Sequence, residues 1–115
     1  MKKVIAAMVI ITTIIVSCSK SSTTSITTVD CTGTAKSYVT DVSPIVQSYC
    51  ATNSGCHGAG SSHGPGALTT YAQIYSARAS IRISVANGTM PENTTLSSAQ
   101  KNAILCWIDN GGSNN

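Results

Sequence analysis

A shortage of large side chains sets the terms on which this chain can fold. Its one Trp and four Tyr all lie beyond residue 30, and it has no Phe. A domain of roughly 80 residues so built has room for a single core and needs staples, a metal or a buried cofactor to hold it. Cys31, Cys50, Cys56 and Cys106 are the residues able to supply such links.

The amino terminus says in which compartment those cysteines work. Lys2 and Lys3 precede an uncharged apolar run from Val4 to Val16. That is the layout of a secretory signal, shorter than the roughly 20 apolar residues a membrane span requires. The run closes in Ile15-Val16-Ser17-Cys18, which resembles the lipobox of bacterial lipoproteins. The resemblance implies cleavage before Cys18 and acylation of that residue, which more than one acyl chain makes a stable anchor. Residues 1–17 are then a signal peptide, and the product is exported and lipid-anchored to the cell-envelope membrane on its periplasmic or surface side. An exported chain keeps its thiols oxidised or bonded to a cofactor.

From residue 18 to 30 the chain is dominated by Ser and Thr, a composition that cannot bury enough apolar surface to order itself and reads as a tether. Residues 31–115 are the domain. Beyond the leader, five cations face four carboxylates, a net of plus one, which gives no basic footprint for nucleic acid.

The domain reads as all-α. Ser43-Pro44 is a helix start, hydroxyl cap then proline, with Ile45, Val46 and Tyr49 on the buried side and Cys50 at the end. A second helix is expected from about Thr70 to Ala86, although Ile81, Ile83 and Val85 alternate as a strand would, with Asn87-Gly88 as its C-cap. Ser97 and Gln100 form a capping box ahead of a third helix that stops at Gly111-Gly112. Between the first two helices, residues 51–66 are glycine-rich and almost without apolar side chains, so they form a loop.

That loop carries the informative pair, Cys56-His57, with Cys50 shortly before it. A cysteine directly followed by histidine, behind another cysteine, is how c-type haem is attached: two thiols add to the two vinyl groups and the histidine meets the iron. Asn87-Gly88-Thr89-Met90-Pro91 offers a thioether on an inter-helix loop, with Met90 as the sixth ligand.

In this order of helix, cysteines with histidine, helix, Gly-x-Met-Pro and apolar helix, the chain resembles the small monohaem c-type cytochrome domains, notably the lipid-anchored ones. The match ends in Leu105-x-Trp107-Ile108-x-x-Gly111. It implies a cytochrome c-like fold of about three main helices around one covalent haem c, with His57 and Met90 axial. Its function would be one-electron transfer to redox partner proteins rather than enzymatic catalysis. Because the terminal helices of that fold pack together, it also implies a Cys31–Cys106 disulfide. The chain departs from the family in having five residues between Cys50 and Cys56 where two are usual, so the extra residues must bulge outward.

Other readings of these residues stay open. Cys50 and Cys56 could form a local disulfide, with His57 a loop residue and Met90 a core filler, in a haem-free lipoprotein acting as a surface binding module. Zinc could be held by Cys50, Cys56, His57 and His63. His63 could compete with Met90 for the iron, but six residues past His57 and among glycines it reads rather as a solvated or propionate-facing loop histidine. Arg78 and Arg82, four apart on one helix face, are either propionate partners or an ordinary solvated face.

Overall fold

The structure is a computed structural model that describes residues 29–115. The expected signal peptide, Cys18 and most of the tether lie outside the described residues. Three α-helices and no strands are found among them: α1, Ser43–Tyr49; α2, Tyr71–Asn87; and α3, Ser98–Asp109. None of these is long and apolar enough to cross a membrane.

Helical backbone begins earlier than Ser43. A π-helical turn, Tyr38–Val42, runs directly into α1, and Ser43 is already helical at φ −54°, ψ −46°. Ser43 is therefore not the cap. That part is taken by Ser37, whose Oγ accepts from the Thr40 amide while the Asp41 carboxylate accepts from the Ser37 amide at 2.8 Å. The remaining free donors are met from the far end of the chain: Asn115 accepts from the amides of Tyr38 and Val39. A helix start leaves such amides unpaired unless something outside the helix accepts them.

The other two starts follow their sequence signals. Thr70 and Gln73 cap each other reciprocally at the head of α2, as Ser97 and Gln100 do at the head of α3. Ile81, Ile83 and Val85 continue α2 rather than forming a strand. It ends at Gly88, whose φ of +76° is left-handed and suits a residue with no Cβ.

The core is small and largely aliphatic, with Val42, Val46, Ile74, Val85, Ile104, Leu105 and Trp107 all almost wholly buried. Each such side chain stabilises the fold by about 1.5–3 kcal/mol before entropy is counted. Trp107 meets Tyr38 and Tyr71 at ring-centroid separations of 5.7 and 6.4 Å, and its indole N–H donates to the Ser113 carbonyl at 2.8 Å. Four of the five aromatic rings, Tyr38, Tyr71, Tyr75 and Trp107, are thus spent together, while Tyr49 lies apart.

A disulfide joins Cys31 to Cys106 across 75 residues, with Cα atoms 5.3 Å apart. It ties the segment entering the domain to the buried face of α3.

Candidate functional site

A cavity of about 840 Å³ opens between α1, the 51–66 loop, α2, the 90–94 loop and α3. Its size falls in the upper part of the ~300–1,000 Å³ range of small-molecule and cofactor sites. Val46, Leu68, Ile81, Val85 and Ile104 give it apolar walls, and Cys50, Cys56, His57 and Met90 all line it. Residues up to 58 positions apart in sequence, Val46 and Ile104, therefore face one space.

The loop that presents Cys56 and His57 is held by its own backbone. The Asn53 carbonyl accepts from the amides of Cys56 and Gly58 at 3.1 and 2.8 Å, and the Asn53 side chain accepts from Gly55 and Cys56. Gly58 is obligatory here, because a Cβ would lie 2.7 Å from the Asn53 carbonyl carbon and oxygen. His57 is pinned on both sides, its amide donating to the Cys50 carbonyl at 3.0 Å and its carbonyl accepting from Leu68 at 2.7 Å. Thr52, Asn53, Ser54 and Gly55 are exposed, so the long spacing between the cysteines is taken up at the surface.

The His57 ring is buried, and its Nδ1 lies 3.0 Å from the Gly66 carbonyl oxygen. A carbonyl can only accept, so Nδ1 is the donor, an arrangement that in the neutral ring leaves the lone pair on Nε2. Metal-ligating histidines use this arrangement to fix tautomer and ring orientation.

Cys50 and Cys56 are free thiols, not a local disulfide. Burial, and then the nearby Cys56 thiol, push the Cys50 thiol up to about 11. It is neutral at ordinary pH and is a poor nucleophile or thiolate ligand. A thioether sulfur carries no charge, so the same burial costs a carbon-bonded Cys50 nothing.

Met90 is half-buried, and its amide donates to the Ser84 carbonyl of α2 at 3.2 Å, which fixes where the Met90-Pro91 loop crosses the cavity. Ser80 and Ser84, one helical turn apart, contribute small side chains to the α2 wall. His63 also lines the cavity, at its exposed lip.

Arg78 and Arg82, left open as propionate partners or a solvated face, are both engaged away from the cavity. Arg82 is committed to Asp109, with Nε and one terminal nitrogen at 2.6 and 2.8 Å from its carboxylate. Arg78 stacks on the Tyr75 ring at 3.9 Å and donates to the Tyr75 carbonyl. Neither lines the cavity, because each finds a partner on its own or the neighbouring helix. No group of three or more His, Cys, Asp or Glu side chains that could hold a metal ion occurs among the described residues, so the zinc reading gains no cluster.

Sequence reasoning missed Asn53 as the loop's hub, the Gly66 carbonyl as the partner of His57, and the seryl wall of α2. The glycine directly after Cys56-His57 was the available signal for the first, since a buried glycine in a loop marks a close backbone approach. Compared with protein families, with curated proteins and with solved structures, the chain matches none.

Proposed function

We propose that residues 31–115 hold one haem covalently through Cys50 and Cys56 and serve as a one-electron carrier, with His57 and Met90 as axial ligands. The single observation that carries this reading is the convergence of these four side chains on one largely apolar cavity. When bound, haem supplies reversible one-electron exchange at iron.

The residues fit that group chemically. His57 offers Nε2 because the Gly66 carbonyl holds the proton on Nδ1. Met90 offers a soft, uncharged sulfur, which favours the reduced iron and raises the potential. Val46, Leu68, Ile81 and Ile104 exclude water from one side, and the small Ser80 and Ser84 leave room for a flat ring against α2.

Anchoring through Cys18 is part of the same proposal. On α3, Ile104 lines the cavity, while Cys106, two residues on, is bonded to Cys31. Two residues turn a helix by about 200°, so the disulfide holds Cys31 on the side of α3 turned away from the cavity. Replacing Cys18 by Ser should abolish fatty-acid labelling; label retained in that variant contradicts the anchor.

The deciding experiment expresses the full chain in a host that matures c-type cytochromes. A sharp Soret band, and a haem mass that stays on the chain through denaturation and acid extraction, are expected. Haem that washes out with organic solvent refutes covalent attachment. With no band at all, the haem-free binding module is the reading that remains.

A further inference from the structure

Resting on the haem reading, we infer that the cavity mouth is an anionic docking face, and that the redox partner is a protein presenting lysine and arginine side chains around its own electron-exchange site. The charges around the cavity carry this inference. Glu92, exposed beside Met90-Pro91, is the one Asp, Glu, Lys or Arg residue in the lining. None of the basic side chains of the described residues, Lys36, Arg78, Arg82 and Lys101, lines it. Arg82 is held by Asp109 and Arg78 by Tyr75. Lys101 stands beside Gly88, its Nζ 3.9 Å from where a Cβ of that glycine would lie, and Gly88 is itself outside the lining.

A haem brings two propionate carboxylates. In this domain no cation meets them in the cavity, and Glu92 adds a negative charge of the same sign at the lip. The uncompensated charge is left to the partner. Complementary charge at an interface steers encounter and fixes orientation more than it adds affinity, which suits a carrier that must also let go.

The test uses the full, haem-loaded chain and two readouts. In the first, the redox-inert cation hexaamminechromium(III) is added as a paramagnetic probe. Broadening is expected at the amides of Glu92, Asn93, Thr94, His63 and Gly64, weaker in Glu92→Gln and weaker still in Glu92→Lys. In the second, electron exchange with cationic hexaammineruthenium should slow by about tenfold or more between ~0.01 and ~1 M salt, while exchange with anionic hexacyanoferrate speeds up. A Soret band with both salt dependences reversed, or broadening by anionic tris(oxalato)chromate(III) at the same amides instead, overturns the docking face and leaves the haem reading standing. No Soret band overturns both.

Discussion

Gly58→Ala is the sharpest probe of how this loop is built. A methyl group there would sit 2.7 Å from the carbonyl carbon and oxygen of Asn53 and 2.9 Å from its Cα. All three are backbone atoms, so no side-chain rotation relieves the contact. Nor is Asn53 free to retreat, since its carbonyl and side chain together accept from Gly55, Cys56 and Gly58. Forcing an extra carbon into a packed site costs about 1–3 kcal/mol, and loss of the 2.8 Å bond from the Gly58 amide adds about 0.5–1.5 kcal/mol. The sum of roughly 2–4 kcal/mol should lower Tm by about 8 °C or more in a domain of this size. Thermal and urea unfolding of the variant, with the exposed Ala59→Ser as the control expected within about 0.5 kcal/mol of the parent, measure it. Because Cys56 and His57 hang on the same bonds, the proposed haem attachment should fall in step. A Gly58→Ala protein as stable as the control refutes the claim that the Asn53 backbone closes this loop.

The other expectations concern single interactions. Met90→Leu keeps volume and should cost under about 1.5 kcal/mol, while removing the weak far-red sulfur-to-iron charge-transfer band of the oxidised protein; a band that survives excludes Met90 as ligand. Replacing Cys31 and Cys106 together by Ala opens a loop of 75 residues and should cost about 4–5 kcal/mol in the chain-entropy account, read as a lower urea midpoint; an unchanged midpoint removes the staple. The Arg82 guanidinium holds the Asp109 carboxyl below its ordinary value of 3.8, so the pair stabilises the fold above that pH and its contribution fades as pH falls through the lowered value. With both side chains about 35–41% exposed, Asp109→Asn should cost only about 0.2–1 kcal/mol at neutral pH; a gap to the parent that persists at the lowest pH would show that charge is not its cause.

Much of the helical content was legible without coordinates. The capping box at Ser97, the apolar stripe through Ile104, Leu105 and Trp107, and the glycine after Asn87 are local signals acting within a turn or two of chain, and α3 and the end of α2 follow them. Ser43-Pro44 marked where α1 begins but not its cap, because helical backbone already starts at Tyr38, where Asn115, 78 positions from Ser37, accepts the free donors. A cap supplied from the other end of the chain leaves no mark in the local sequence.

At the site the division is similar. The sequence by itself determined which residue types are present and in what order: two cysteines, a histidine next to one of them, and a methionine before a proline. Only tertiary structure could decide that all four line one cavity, because that requires α3 to pack against the helical turn at Tyr38–Val42, α2 to pack against α3, and the loop after Cys50 to turn back on Asn53. Tertiary structure likewise decided the charge at the mouth. Arg78 and Arg82 lie four apart on one helix, which local spacing permits to serve any anion. Tyr75, one turn back on the same helix, takes Arg78, while Asp109, brought alongside by the packing of α3, takes Arg82. Short-range signals in a chain specify its turns and helix ends, whereas the partner of a long, charged side chain is settled by which opposite charge the packed helices bring within its reach.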